Sequence, residues 1–168
     1  MTTSALVLID LMPRILALPV APHSGLEVLE RSRRLAEAFR SDGRPVVQVR
    51  VERPDVDEQP PGSGFADALV ADGDIVVVKR TVGAFHNTEL HKRLEERGVD
   101  TVVLGGLVTT MGVESTARAA SDHGYDVVFV ADAMSGLAAD EHEFAVTRVF
   151  PRFGKVVTSD HYIAARSV

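Results

Sequence analysis

The sequence predicts an α/β protein in which helices cover both faces of a mostly parallel sheet of five or six strands. Short apolar runs rich in branched side chains recur along the chain, which is typical of strands buried on both faces of such a sheet. Segments with helical apolar spacing alternate with these runs, and right-handed crossovers then place helices on both faces. A glycine- and threonine-rich turn follows one run and opens a helical stretch, as at the ligand-binding end of such sheets.

The first part of the chain contains two predicted strands and one long helix. The run ALVLID, residues 5–10, is the first strand, and PVVQVRV, residues 45–51, is the second. Between them, helical spacing of apolar residues extends from Gly25 to about Ser41, and Asp42-Gly43 is a helix stop signal. Residues 53–64 hold three of the eight prolines, which predicts a surface loop of the kind that often covers a site.

The same alternation continues to the end of the chain. A short helix is expected over 65–70, before the strand DIVVVKR, and a surface helix over 88–97 ends at Gly98. The remaining predicted strands are 101–106, 126–132 and 155–158, separated by helical stretches 111–123 and 139–150.

Composition excludes several function classes. A chain of 168 residues with 45% apolar content fits one domain, residues 1–168. The net charge of −6, with no basic stripe, argues against nucleic-acid binding. Because no apolar stretch approaches the roughly 20 residues that span a bilayer and no basic segment precedes the first run, we expect a cytoplasmic protein without membrane contact. The chain has no cysteine, which removes thiolate catalysis.

Chemistry-bearing residues stand where the predicted strands end. These are Asp10, Arg50, Lys79, the turn from Gly105 to Gly112, and Asp132. A carboxylate and an ammonium in one crevice can form an acid/base pair, with turn N–H groups stabilising negative charge. A structural ion pair between Asp10 and Lys79 explains the same pattern equally well.

The turn and the histidines exclude several familiar sites. GGLVTTMG matches neither nucleotide-binding glycine motif, so it is a simple phosphate cradle or a tight turn with Thr109 or Thr110 capping the next helix. No histidine pair has the spacing H-x-H or H-E-x-x-H, so no metal site is expected. Two histidines stand out. His86 follows Lys79 in a loop, and His142 is expected to be structural.

Three pieces of the chain together resemble the isochorismatase-like hydrolase superfamily. They are ALVLID ending in Asp10, VVVKRTVGAFHNTELHKRLEERGVDTVVLGG around Lys79, and LVTTMGVESTARAASDHGYDVVFVADAMS with DEHEFA after it. The resemblance covers nearly the whole chain and implies a three-layer α/β/α sandwich. Amidohydrolase members of the family use an Asp, Lys and Cys triad; Asp10 and Lys79 match its first two members, and Gly112 falls where the cysteine would be. The resemblance also implies a non-proline cis peptide at Val108-Thr109.

Glycine cannot supply a thiolate, so the resemblance favours the true isochorismatases, which also have glycine there. Those enzymes cleave the vinyl ether of isochorismate or its amino analogue and release pyruvate. By this resemblance Asp10 is the general acid/base, while Lys79 orients the substrate and tunes Asp10. The substrate, a small anionic molecule, is expected to contact Gly112, Val108, Thr109, Arg50 and Phe85, with Arg53 as an alternative to Arg50. The resemblance implies a metal-independent enzyme without a cofactor, in a homo-oligomer of two or more chains.

Two other hypotheses remain open. In the first, the protein is a non-catalytic small-ligand binder of the same fold, in which Lys79, a nearby arginine and the turn N–H groups hold an anion. Alternatively, Thr109 or Thr110 acts as the nucleophile, which requires a nearby base to activate the hydroxyl.

Overall fold

The computed structural model describes residues 3–165; the two residues before them and the three after, which the expected domain of 1–168 includes, lie outside the described range. The strands are β1 (Ser4–Ile9), β2 (Val46–Val51), β3 (Ile75–Lys79), β4 (Thr101–Leu107), β5 (Asp126–Ser135) and β6 (Gly154–Val157). The α-helices are α1 (Pro13–Leu16), α2 (Gly25–Ser41), α3 (Leu90–Glu95), α4 (Glu114–Asp122), α5 (Ala139–Phe144) and α6 (Ser159–Ala165).

The six strands form one sheet in the order β3-β2-β1-β4-β5-β6, and every neighbouring pair is parallel. One core lies between the sheet and helices α3 and α4, which contribute Leu90, Leu94 and Ala117. A second core lies on the opposite face, where α2 contributes Leu35 and Phe39. The sheet is therefore the middle layer of three, and the α/β prediction is confirmed.

Local signals in the sequence explain where helices begin. Helix α2 starts in a capping box, since the Ser24 hydroxyl accepts from the Glu27 N–H and the Glu27 carboxylate accepts from the Ser24 N–H. It ends at Ser41, with Asp42 as its C-cap, followed by Gly43 with a φ of 68°. Helix α1 has proline at its first position, where the missing N–H costs nothing.

One glycine is required where β4 passes β1 near the site. Gly106 has a φ of 113°, and a Cβ at this position would lie 2.2 Å from the carbonyl oxygen of Ile9. Only glycine can bring the two backbones this close. The approach places the turn after β4 directly beside the end of β1.

Three expectations need correction. Residues 65–70 form an irregular segment with one turn at 67–68 instead of a helix, because Ala68 takes a φ of 54° that a right-handed helix does not allow. The stretch expected as a helix over 111–123 begins earlier, with a π-helical turn at Thr109–Val113 that continues into α4. The non-proline cis peptide joins Leu107 to Val108, one bond before the expected position, where β4 ends.

Candidate active site

A cavity of about 400 Å³ opens beyond the carboxyl ends of β1, β3 and β4. The strand order reverses between β1 and β4, and such a reversal is where parallel sheets of this kind bind ligands. Six polar or charged residues line the cavity: Asp10, Glu52, Arg53, Lys79, Arg80 and Thr81. The remaining lining consists of Gly112 and apolar residues, among them Val51, Leu107 and Val108.

Asp10 and Lys79 form a buried ion pair at this cavity. Asp10 directly follows β1 and Lys79 is the last residue of β3, so the lysine side chain extends past the end of β2 to reach the acid. The Lys79 Nζ lies 2.9 Å from Asp10 Oδ2, and the two residues are 2% and 7% exposed. The structure therefore places both groups at one cavity.

The Lys79 ammonium has no N–H left for a substrate. Besides Asp10, it donates hydrogen bonds to the carbonyl oxygens of Thr81 at 3.2 Å and Val82 at 2.9 Å. An ammonium has three N–H donors, and all three are used within the protein. Lys79 thus fixes and polarises Asp10, and its position does not support direct contact with substrate.

Asp10 has one engaged and one unengaged carboxyl oxygen. Oδ2 receives the Lys79 ammonium, whereas Oδ1 is buried without a hydrogen-bond partner. Burial raises the pKa of the Asp10 carboxyl above its ordinary value, against the opposing effect of the Lys79 ammonium and a smaller one of Arg14. Because Oδ2 is held by Lys79, a proton on this acid belongs on Oδ1.

Gly112 lies beside this pair. A Cβ on Gly112 would lie 3.5 Å from Asp10 Oδ2 but only 2.9 Å from the Cγ2 methyl of Ile9. That methyl belongs to a branched side chain in the core, so it cannot swing aside cheaply. The space next to Asp10 is consequently fitted to glycine.

Helix α4 ties the two loops of the site together through Thr116. The Thr116 hydroxyl donates to the Gly112 carbonyl at 2.6 Å and accepts from the Ala84 N–H at 3.1 Å. Gly83 packs against the same helix, since a Cβ there would lie 2.7 Å from the Ser115 hydroxyl. The loop whose carbonyls hold Lys79 is therefore anchored to the turn that carries Gly112.

Thr109 is not accessible from the cavity. It is fully buried, and its hydroxyl lies 2.8 Å from His142 Nδ1, so it does not cap the following helix. Burial, reinforced by the nearby His23, lowers the pKa of His142 to about 4. The pair resembles an activated hydroxyl in distance alone, because a nucleophile without access to substrate cannot react.

Arg50, Phe85 and Asp132 do not line the cavity either. Successive strand residues point to opposite faces, and in β2 it is Val51 that faces the cavity while Arg50 pairs with Glu52 at 2.7 Å. The Phe85 ring is buried in the core, 5.9 Å from that of Tyr125. Asp132 accepts hydrogen bonds from the N–H and hydroxyl of Ser159 at the start of α6.

Arg53 is the cation that the sequence identified least clearly, and it lines the cavity at the start of the 53–64 loop. The Gln59 amide holds its backbone, accepting from the Arg53 N–H at 2.8 Å and donating to the Arg53 carbonyl at 3.0 Å. Its side chain is exposed, and within residues 3–165 it makes no ion pair. Arg80, also at the cavity, pairs with Glu52 at 3.2 Å.

The described residues contain neither a cluster of metal ligands nor a membrane-spanning helix. Among residues 3–165, no group of three or more histidine and acidic side chains could hold a metal ion. No helix in this part of the chain is long and apolar enough to cross a membrane.

The chain matches known proteins over almost all of its length. The Isochorismatase domain model matches residues 4–161. The uncharacterized isochorismatase family protein YecD of Escherichia coli O157:H7 is 38% identical over 97% of this chain and 96% of its own length. Maleamate amidohydrolase of Pseudomonas putida is 30% identical over 84% of this chain and 67% of its own.

Solved structures support the same assignment. An isochorismatase family protein from Burkholderia thailandensis superimposes with a TM-score of 0.92 at 41% identity, covering 99% of this chain and 96% of its own. Its fold is thus shared from the first strand to the last helix. With the family model, the relatives and the three-layer fold in agreement, the chain belongs to the isochorismatase-like hydrolase family.

Proposed function

We propose that this protein hydrolyses a small anionic substrate with Asp10 as general acid/base and without a thiol nucleophile, and that the bond cleaved is the vinyl ether of isochorismate or an analogue. The observation that carries the proposal is the Asp10 carboxyl at the cavity, held through Oδ2 by Lys79 and free at Oδ1. With no cysteine in the chain, a carboxylic acid is the reactive group that remains at this position.

The proposed reaction needs only a proton and a water molecule. The protonated Asp10 donates its Oδ1 proton to the terminal carbon of the vinyl group, and the ether oxygen stabilises the cation that forms. Water adds to the cationic carbon and returns a proton to the Asp10 carboxylate. The resulting hemiketal collapses, with its hydroxyl proton passing to the leaving oxygen, to give pyruvate and an alcohol.

The first prediction is that Asp10→Asn abolishes turnover. Asparagine fills the same space but cannot donate an acidic proton, so pyruvate release from isochorismate should fall by about 100-fold or more. A coupled pyruvate assay measures this, with circular dichroism to verify the fold. Asp72→Asn is the matched control, because Asp72 is exposed and does not line the cavity. An Asp10→Asn variant that keeps full activity contradicts the proposal.

A non-catalytic binder is the second candidate. The observation that favours it is the complete use of the Lys79 donors within the fold, as in a structural ion pair, so that Arg53 of the cavity lining rather than Lys79 would hold the anion. This candidate predicts thermal stabilisation by small carboxylates with no product formed, in proportion to RT ln(1 + [L]/Kd). The enzyme hypothesis requires product.

We further propose a cytoplasmic homo-oligomer of two or more chains. The resemblance to the family supports this proposal. Light scattering at micromolar concentration measures the assembly, and a monomeric mass counts against it.

A further inference from the structure

We propose that the preferred substrate is a monoanion with an apolar body, whose anionic group binds Arg53 and whose apolar body covers the cavity rim. This inference rests on the proposed function, because it assigns the substrate class of the same Asp10 site. It goes beyond that function by selecting against polar dianions such as isochorismate.

The cavity rim carries an unusual amount of exposed apolar surface. Leu18, Val82, Met111 and Leu137 all line the cavity, and they are 37%, 52%, 49% and 49% exposed. Single exposed apolar residues are normal, but a contiguous group around a cavity marks a surface that is covered in the working protein. The deeper lining, with Leu107 and Val108, is also apolar and extends this surface down to Asp10.

Charges at the cavity limit the number of anionic groups that it can hold. Lys79 is saturated by Asp10 and two carbonyls, and Arg80 is paired with Glu52. Arg53 is the remaining cation of the lining, and within the described residues it has no carboxylate partner. One free cation neutralises one anionic group, whereas a second carboxylate would have to share Arg80 with Glu52, whose other oxygen is already held by Arg50.

The position of Arg53 suits this role. Its backbone is fixed by the Gln59 amide, while its side chain is exposed at the mouth. Asp10 lies at the buried end of the same cavity. A substrate therefore needs a protonatable carbon near Asp10, an apolar middle part and a single anionic group near the mouth.

The enolpyruvyl ether of phenol is the probe that matches this description. It carries one carboxylate and a phenyl ring, and its hydrolysis consumes one water and yields pyruvate and phenol. Isochorismate gives pyruvate in the same assay but carries two carboxylates. We expect kcat/KM for the phenyl ether to exceed that for isochorismate by about 10-fold or more, since burial of an apolar group of this size strengthens binding by at least that factor.

Variants separate the two features of the proposed substrate site. Arg53→Gln should weaken binding of the phenyl ether's saturated analogue by about 10-fold and leave binding of its neutral amide unchanged. Arg148→Gln, at an exposed arginine that does not line the cavity, should change neither. Leu137→Asn should weaken both ligands by about fivefold. Leu26→Asn is its control, because Leu26 is exposed on α2 away from the cavity.

The outcomes distinguish this inference from the proposed function. Pyruvate release from isochorismate that equals or exceeds release from the phenyl ether overturns the inference and leaves the proposed function standing. If neither substrate releases pyruvate but the saturated analogue binds tightly, the result supports the proposed ligand class and rules out the proposed enzymatic function. If Leu137→Asn leaves binding unchanged but lowers the mass measured by light scattering, the rim is an interface between copies and the inference is wrong.

Discussion

The proposed function depends on a single carboxyl group, that of Asp10. Its burial opposes ionisation, and Lys79 limits that effect by donating to only one of its oxygens. The result is an acid that is fixed in position yet keeps one oxygen free. Under the proposed function Lys79 acts through Asp10, so it is a positioning residue.

The residue scale gives a stability prediction for Lys79. Lys79→Met leaves the buried carboxyl and the carbonyls of Thr81 and Val82 without their donor, and should lower the free energy of unfolding by about 3–5 kcal/mol at neutral pH. Urea denaturation measures it. Since Lys79 lowers the pKa of Asp10, its removal raises that pKa, and the loss should shrink as the pH falls and the carboxyl becomes neutral.

Two further variants complete this test. Lys155→Met is the matched control, because Lys155 is exposed and should cost little. The double variant Asp10→Asn, Lys79→Met should be more stable than Lys79→Met alone, since it removes the unpaired charge. A loss of about 1 kcal/mol or less in Lys79→Met, as for a surface pair, would refute the buried pair.

At the scale of elements, the site depends on how the turn after β4 packs against β1. The π-helical turn brings Gly112 against Ile9 and Asp10, and Thr116 of α4 holds its carbonyl. Any side chain at position 112 would bring its Cβ into tight contact with Ile9. A cysteine would meet the same methyl group, so restoring a thiol requires Ile9 to move as well.

This contact predicts non-additive stability changes. Gly112→Ala should lower the free energy of unfolding by about 1–3 kcal/mol because its Cβ overpacks against Ile9. Ile9→Ala should cost about 2–5 kcal/mol on its own, since it leaves a cavity. The double variant should cost less than the sum by about 1 kcal/mol or more, because the new methyl then occupies vacated space.

Gly64→Ala is the control for backbone effects, since nothing lies within 4 Å of a Cβ at that exposed glycine. It should change stability by no more than about 0.5 kcal/mol. Chemical denaturation of all four variants gives the cycle. Additivity within about 0.5 kcal/mol would show that Gly112 is not packed against Ile9.

Strand ends were readable from the sequence, and side-chain directions were not. A run that ends in a charge, as at Asp10 or Lys79, places that charge at the carboxyl edge of a parallel sheet. Which face a residue occupies depends on register, and a shift of one position separates Arg50 from the cavity that Val51 lines. The sequence suggested Arg53 only as an alternative to Arg50. Which arginine lacks a carboxylate partner depends on which arginines Glu52 contacts, and these are Arg50 and Arg80.

At the scale of the whole molecule, alternating patterns predicted the layered sheet because long buried strands leave a strong signal. All six strands and the long helix α2 lie where these alternating patterns predicted them. Helices α1 and α6 are too short for apolar periodicity to reveal them, and the 65–70 segment fails through one left-handed residue. The fold brings the ends of β1, β3 and β4 together, which no single segment encodes.

Under the proposed function, the fold keeps Asp10 as an acid with a proton to give. A carbon-13 titration of the aspartate carboxyls measures this, with Asp10 assigned by its absence from Asp10→Asn. We expect this carboxyl to titrate above the ordinary aspartate pKa of about 3.9, because burial raises its pKa despite Lys79. A carboxyl that titrates at or below that value would hold no proton at working pH, and would contradict the proposed role of Asp10.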